Sequence, residues 1–165
     1  MTFDLTKAIV IATEAHAGQV DKRGEPYILH PLRVMLAMDT DEERIVAVLH
    51  DVLEDTSVRA NDLRRERMPE YSVLALAALS RREDEPYLDS YIKRVGRHPL
   101  ARKVKIADLR DNLLPERNPD GRFDGLIVTR YQPALEYLLS QEPSHEQPQI
   151  ARLLPGLPLR LVDLP

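Results

Sequence analysis

The stretch Ala47–Thr56, AVLHDVLEDT, is the most informative part of the sequence. It is apolar enough for a core helix, yet it carries a histidine and three acidic residues: His50, Asp51, Glu54 and Asp55. Helical spacing would place these side chains as a ridge along one side of the helix. Carboxylates are rarely buried without a partner, and a divalent metal ion bound by imidazole and carboxylate would be a suitable one. The alternative, which this stretch alone leaves open, is a solvated acidic patch with His50 packed in the core.

The composition indicates one globular domain rich in helix. Of the 165 residues, 43% are apolar and 30% are charged, whereas aromatic residues make up 5% and Trp is absent, which favours helices over strands. The formal net charge of −4 argues against binding of nucleic acid through overall charge. Because there is no cysteine, disulfides, thiolate catalysis and Cys-based zinc sites are excluded. The sequence has neither a signal-peptide pattern nor an apolar run of about 18 residues, so we expect a cytoplasmic protein that does not enter membranes.

Apolar periodicity and capping signals organise the chain into about eight helices. The predicted helices cover residues 5–17, 30–38, 41–55, 60–68, 71–80, 87–96, 99–114 and 126–141. No segment alternates as an exposed strand would, so the predicted fold class is all-α. We assign residues 1–141 to one domain and residues 142–165 to a proline-rich tail, which could pack back on the domain or contact a second copy in a homo-oligomer.

Three residues outside the opening stretch could complete a metal or substrate site. His30 lies in PYILHP at the start of a predicted helix, where it either faces a ligand site or packs on the core. Asp108 lies in the apolar helical run VKIADLRDN and either binds a ligand or pairs with Lys105 or Arg110. Lys22, in DKRGEPY, lies on the short path that leads to His30. The other histidines have structural interpretations: packing for His16, exposure for His98 and His145.

The order of these residues resembles that of the HD-domain metal-dependent phosphohydrolases, whose pattern is His, then His-Asp, then Asp. Three blocks narrow the resemblance: AHAGQVDKRGEPYILHPLRV, AVLHDVLEDT and VKIADLRDN. They are similar to the hydrolase domain of the RelA/SpoT alarmone enzymes and of their stand-alone relatives, the small alarmone hydrolases. The similarity extends from about Ala8 to Ala134 and implies an all-α HD-domain helical bundle.

The resemblance also implies a role for each matching residue. One divalent ion, Mn²⁺ in this family, would be bound by His30, His50, Asp51 and Asp108. The proton of the attacking water would be handled by Glu54 and Asp55. Contacts to a nucleotide substrate would come from Lys22, Asn112 and Tyr131. The implied reaction removes the 3′-pyrophosphate of guanosine 3′,5′-bis(diphosphate), ppGpp, or of pppGpp, and gives GDP or GTP and pyrophosphate.

Two positions depart from the family pattern. Asp21 stands where the basic loop commonly has an arginine, and an acid there would repel phosphate. Ile127 stands where an arginine is often found, although the nearby Arg130 could substitute for it. These departures keep open the hydrolysis of another nucleotide phosphate. A non-catalytic nucleotide-binding domain is a further alternative, which is disfavoured because all six predicted metal and acid residues are present. Because no residue follows Pro165, we expect a stand-alone hydrolase that does not synthesise the alarmone.

Overall fold

The structure, a computed structural model that describes residues 2–142, consists of helices joined by loops. In chain order the helices are α1 (Leu5–Ala15), α2 (Leu29–Leu36), α3 (Asp41–Val48), α4 (Val52–Asp55), α5 (Ala60–Arg65), α6 (Glu70–Leu79), α7 (Lys93–Gly96), α8 (Pro99–Asn112), α9 (Asp124–Leu126) and α10 (Gln132–Ser140). Two π-helical turns, Tyr87–Ile92 and Ile127–Tyr131, lead directly into α7 and α10, and a 3-10 turn covers Pro115–Arg117. Within residues 2–142 there is no β-strand, only a single bridge between Val20 and Pro26, so the predicted all-α fold is confirmed.

Local side-chain hydrogen bonds determine where several of these helices begin. At α1 the carboxylate of Asp4 accepts a hydrogen bond of 2.8 Å from the backbone N–H of Lys7. At α3 the side chains of Thr40 and Glu43 form a reciprocal capping box. No helix among the described residues has the length and apolarity that crossing a membrane requires.

Helix α3 lies at the centre of the fold and packs against α1, α2, α6 and α8. Fully buried side chains of these helices fill the space between them: Val34, Val46, Val48, Leu76 and Leu109. Burial of each such side chain contributes roughly 1.5–3 kcal/mol, so this apolar layer holds the helices in a fixed relation. As a result His30 on α2, His50 just after α3 and Asp108 on α8 approach the same point.

The prediction of one continuous helix through residues 41–55 was wrong, because the chain breaks at residues 49–51, between α3 and α4. The break is local in origin: the His50 imidazole Nδ1 hydrogen-bonds to the carbonyl of Ala47 at 2.7 Å, and the backbone N–H of His50 turns to the same oxygen at 3.4 Å. Adjacent side chains on an unbroken helix point about 100° apart. The turn instead allows His50 and Asp51 to face one site.

Two further helix ends differ from the sequence expectation. Helix α5 ends at Arg65 rather than near Met68, because Arg67 adopts a left-handed backbone with φ of 67°. The predicted last helix, residues 126–141, contains the π-helical turn Ile127–Tyr131, and Pro133 lies in the first turn of α10, where a missing N–H is tolerated.

Two of the histidines with structural interpretations can be compared with the structure. His16 is buried, as expected for a packing residue. His98 is half-buried rather than exposed, because its ring accepts a hydrogen bond from the N–H of Ala101 and caps α8. His145 and nearly all of the predicted tail, residues 143–165, lie outside the described residues.

Candidate functional site

The four side chains predicted to bind a metal converge at the junction of α2, α8 and the turn between α3 and α4. The Nε2 atom of His30 lies 3.0 Å from Oδ1 of Asp108 and 3.8 Å from Oδ2 of Asp51. The Nε2 atom of His50 lies 3.0 Å from the same Asp51 oxygen and 3.6 Å from the same Asp108 oxygen. Two imidazole nitrogens and two carboxylate oxygens therefore form one compact group of donor atoms. We call the four residues that supply them, His30, His50, Asp51 and Asp108, the metal group.

The spacing of these atoms suits a single divalent ion. Ligands at about 2.1 Å from a common ion are separated by about 3.0 Å at right angles and by about 3.4 Å in a tetrahedron. The observed separations, 3.0–3.8 Å, cover this range. The donor atoms of His30, His50 and Asp51 all lie within 4.8 Å of one another. The residues present thus fit a divalent metal in both donor type and spacing.

The hydrogen bonds of the two imidazoles fix which nitrogen is available as a ligand. Nδ1 of His50 must donate to the carbonyl of Ala47, since a carbonyl only accepts, and this leaves Nε2 unprotonated in the neutral ring. That Nε2 is buried and has no hydrogen-bond partner among the described residues. In the neutral ring this nitrogen, 3.0 Å from the Asp51 carboxylate, would be one of two acceptors in contact, and either a proton or a metal ion between them makes the contact favourable.

The electrostatics of the group also favour added positive charge. Burial alone would lower the pKa of His50, but the carboxylates of Asp51 and Asp108 outweigh burial and raise the pKa to about 10. Burial would raise the pKa of Asp108, but Lys105 and the two imidazoles hold it well below its usual range. Protons and metal ions compete for such a group, so the same charges that raise the imidazole pKa values attract a divalent ion.

Asp111 is a residue that sequence reasoning missed, and it supports His30, one of the predicted metal ligands. Its Oδ2 atom accepts a hydrogen bond of 2.7 Å from Nδ1 of His30. Arg33 holds the carboxylate with two further hydrogen bonds, of 2.7 and 3.0 Å. A carboxylate behind a metal-binding histidine orients the ring and raises its basicity. The signal in the sequence was the spacing, because Asp111 follows Asp108 by one helical turn.

Asp108 pairs with Lys105, as one of its two sequence interpretations expected, and it also faces the two histidines. Its Oδ2 atom pairs with Nζ of Lys105 at 2.7 Å, while Oδ1 faces the histidines. Asn112, predicted to contact the substrate, donates from its amide nitrogen to Oδ1 of Asp108 at 2.7 Å. The structure therefore brings Asn112 into the metal group as well as into the cleft above it.

The acidic pair Glu54 and Asp55 lies beside the metal group, in two different environments. Glu54 lines the cleft, and its carboxylate accepts a hydrogen bond of 2.8 Å from the backbone N–H of Arg81. The hydroxyl of Tyr27 donates to the carboxylate of Asp51 at 2.6 Å and, more weakly, to that of Asp55 at 3.4 Å. Both residues are exposed overall, but partial desolvation of the carboxylates and their negative neighbours raise the pKa of each. Tyr27, from the GEPY segment, was not assigned a role from the sequence.

A cleft of about 480 Å³ opens above the metal group. All three predicted substrate residues line it: Lys22, Asn112 and Tyr131. Among residues 2–142, six cationic side chains line it, against four carboxylates (Asp21, Asp51, Glu54 and Asp108), which leaves an excess of positive charge on a chain with net charge −4: Lys22, Arg23, Arg81, Lys105, Arg117 and Arg130. Nζ of Lys22 lies 4.3 Å from the ring centre of Phe123, which also lines the cleft. Such a cleft suits a polyanionic ligand.

The two departures from the family pattern have different structural settings. Ile127 lies outside the cleft lining, whereas Arg130, one turn further on, lies within it, with its guanidinium 5.8 Å from the ring centre of Tyr87. Asp21 forms an ion pair of 2.7 Å with Arg117. The expected repulsion between Asp21 and phosphate is therefore offset by a neighbouring cation.

An all-α fold with two histidines and two aspartates in this arrangement defines the class of HD-type domains. No family model matches the chain. Among curated proteins, a guanosine-3′,5′-bis(diphosphate) 3′-pyrophosphohydrolase of Borreliella burgdorferi is 30% identical over 152 residues, which cover 88% of this chain and 20% of that protein. The protein of the same name from Vibrio cholerae is 44% identical over 63 residues, 36% of this chain and 9% of that protein.

A solved structure agrees with the sequence similarity. The structure of a metazoan ortholog of SpoT, described as hydrolysing ppGpp, matches with a TM-score of 0.68 and 18% identity, over 90% of this chain and 92% of that one. The chain spans about a fifth or less of the length of the curated relatives it matches. It carries an HD-type domain of the RelA/SpoT kind.

Proposed function

We propose that this chain is a metal-dependent hydrolase that removes the 3′-pyrophosphate of ppGpp or pppGpp, giving GDP or GTP and pyrophosphate. The observation that carries the proposal is the group formed by His30, His50, Asp51 and Asp108 at the base of a cleft lined with cations. The curated relatives of Borreliella burgdorferi and Vibrio cholerae, which carry this activity in their names, support the choice of substrate.

The substrate would be held by charge. Two diphosphate groups on one guanosine make ppGpp strongly anionic, and charge-assisted hydrogen bonds from guanidinium and ammonium groups are the strong contacts to phosphate oxygens. Lys22, Arg117 and Arg130 would supply such donors from three different segments of the cleft wall. Tyr131 would add a ring and a hydroxyl on the same wall.

The metal group would bind the divalent ion that activates the substrate and the attacking water. When bound by His30, His50, Asp51 and Asp108, a divalent ion would polarise the phosphoryl oxygens and make water a better nucleophile at neutral pH. We propose Mn²⁺ because the resemblance to the alarmone hydrolases implies it; the imidazoles and carboxylates would also bind other divalent ions. Asp111 would keep the His30 ring turned toward the ion through its hydrogen bond to Nδ1.

Glu54 would move the proton. As the water oxygen attacks the phosphorus attached to the ribose 3′ oxygen, Glu54 would accept the water proton. Its pKa is raised by partial desolvation and by the nearby Asp51 and Asp55, which makes the carboxylate a better base. The bond from phosphorus to the 3′ oxygen breaks, and that oxygen takes up a proton to become the 3′ hydroxyl of GDP. Asp55, together with Tyr27, would orient the groups around this transfer.

The proposal extends to the setting of the reaction. The partner would be a small nucleotide, and we propose a cytoplasmic setting, as the sequence patterns above led us to expect. Hydrolysis of another nucleotide phosphate is the second candidate. It rests on Asp21, whose charge is offset by Arg117 at 2.7 Å, and on Ile127, near which Arg130 lines the cleft.

The test is to incubate purified protein and Mn²⁺ with ppGpp and, separately, with a panel of other nucleotide phosphates. We expect pyrophosphate and GDP from ppGpp, and loss of this activity in Asp51→Ala. The matched control is Asp120→Asn, which removes a carboxylate from an exposed ion pair with Arg122 at 3.0 Å. Brisk turnover of another nucleotide without release of pyrophosphate from ppGpp would contradict the proposal.

A further inference from the structure

Asp21 is held in one orientation by three hydrogen bonds, and its side chain is only 9% exposed. Its Oδ1 atom accepts hydrogen bonds from the backbone N–H groups of Arg23 and Glu25, at 2.8 and 3.0 Å. Its Oδ2 atom accepts from Nη1 of Arg117 at 2.7 Å. The carboxylate therefore faces a guanidinium and its own loop, and the charge that it would present to a phosphate is already paired.

Arg117 is the cation that this pairing places in the cleft. It ends the 3-10 turn Pro115–Arg117, and its side chain is 16% exposed. Its Nε atom lies 3.7 Å from Oδ2 of Asp111, the same oxygen that accepts a hydrogen bond from the metal-site residue His30. The guanidinium is thus one carboxylate away from the metal group.

The geometry of the two ion pairs leaves part of the guanidinium for a ligand. Asp21 contacts Nη1 and Asp111 lies nearest to Nε, whereas Nη2 makes no hydrogen bond within residues 2–142. A guanidinium has five N–H donors in a rigid plane, and two adjacent donors match two oxygens of a phosphate. Fixing the plane from two sides reduces the entropy that is lost when such a contact forms.

We propose that Arg117 binds a phosphate of the diphosphate group being hydrolysed, and that Asp21 is a positioning residue that holds Arg117 in the cleft. This inference rests on the proposed function, because it names the contact that orients the substrate of that reaction. From the sequence, Asp21 was expected to repel phosphate. In this arrangement it favours phosphate binding, because it orients the guanidinium of Arg117.

The two roles of Asp21 predict opposite results for Asp21→Asn. If the carboxylate only repels phosphate, its removal lowers the KM for ppGpp. If it positions Arg117, its removal releases the guanidinium and raises the KM. We expect Asp21→Asn to raise the KM several-fold, with kcat within about threefold of the parent protein.

Variants of Arg117 test the phosphate contact itself. A hydrogen bond to a charged group contributes about 1.5–3 kcal/mol, so we expect Arg117→Gln to raise the KM roughly tenfold to hundredfold. Arg117→Lys keeps the charge without the planar pair of donors and should recover part of this loss. Asp21→Asn should have no further effect in the Arg117→Gln background, because its influence acts through Arg117.

A surface ion pair in the adjoining loop provides the matched control. Asp120 and Arg122 are paired at 3.0 Å, and their side chains are 53% and 69% exposed. We expect Asp120→Asn and Arg122→Gln to leave the KM unchanged. Additive effects of the Asp21 and Arg117 substitutions, or a lower KM in Asp21→Asn, would overturn the inference.

A binding measurement separates this inference from the proposed function. Inorganic pyrophosphate is titrated into the metal-free protein in a calorimeter, at fixed ionic strength, so that no turnover is needed. We expect weaker binding in Arg117→Gln and Asp21→Asn than in the parent, and unchanged binding in Arg122→Gln. If the parent protein fails to hydrolyse ppGpp but shows this pattern, the proposed function fails and the phosphate contact stands. If it hydrolyses ppGpp but binds pyrophosphate equally well in all variants, the inference fails alone.

Discussion

Replacing Asp111 by Asn tests whether the carboxylate behind His30 tunes the metal site. Oδ2 of Asp111 accepts from Nδ1 of His30 at 2.7 Å, and Arg33 occupies both carboxylate oxygens, at 2.7 and 3.0 Å. An asparagine has one oxygen and one NH₂ group. If the oxygen faces His30, the NH₂ group opposes Nε of Arg33; if the oxygen faces Arg33, the NH₂ group opposes the N–H of His30. Either orientation puts two donors against each other and removes a negative charge.

The expected loss follows from these contacts. Removing a partner behind a metal-binding histidine costs about tenfold to hundredfold in metal affinity, which corresponds to roughly 1.4–2.8 kcal/mol. The variant should also lose about 1–3 kcal/mol of folding stability in the absence of metal, because one charge-assisted hydrogen bond is lost. All four predicted ligands remain, so activity should return at higher Mn²⁺ concentration.

Two measurements separate these effects. Titration of Mn²⁺ into metal-free protein, followed by calorimetry, gives the affinity, and urea unfolding without metal gives the free energy of unfolding. Asp89→Asn is the control, since that carboxylate is 86% exposed and contacts only Lys93 at 3.2 Å among the described residues. A folded Asp111→Asn protein that binds Mn²⁺ within twofold of the parent affinity would show that the reasoning about Asp111 is wrong.

Two other predictions concern single carboxylates. Glu54→Gln should lower kcat about 10²- to 10⁴-fold and leave the affinity for Mn²⁺ unchanged, because an amide oxygen can still accept the hydrogen bond from the N–H of Arg81 but cannot take a proton. Steady-state kinetics and a titration with Mn²⁺ measure the two quantities. Activity within threefold of the parent would exclude Glu54 as the base. Glu85→Gln concerns pH: hydrogen bonds from Arg94, which outweigh desolvation, lower the pKa of Glu85 from 4.5 to about 2. The carboxylate therefore stabilises the fold fully above about pH 4.5, by roughly 2 kcal/mol after allowance for solvent screening, and this is lost as the pH falls toward 2. The difference in free energy of unfolding between parent and variant should shrink over that window, and a constant difference would contradict the assignment.

Local patterns accounted for most of the helical fold. The apolar spacing in residues 70–79 and 99–112, with Pro99 at the start of α8, predicts helices that the structure contains. The continuous helix through His50 was not a reliable prediction, since the break depends on a side-chain hydrogen bond that competes with the helical backbone bond. Helical propensity alone does not predict the outcome of that competition.

The sequence by itself determined which residue types the site uses, because His50, Asp51, Glu54 and Asp55 stand within one short stretch whose composition conflicts with a plain core. Only the tertiary structure decided how they are supported. His30 meets Asp111 across 81 positions, and Asp21 meets Arg117 across 96. Contacts at such separations arise from helix packing, in which apolar burial between α2, α3 and α8 sets distances that no local pattern encodes. That is why Asp21 looked like an obstacle to phosphate in the sequence and forms an ion pair with a cleft arginine in the fold.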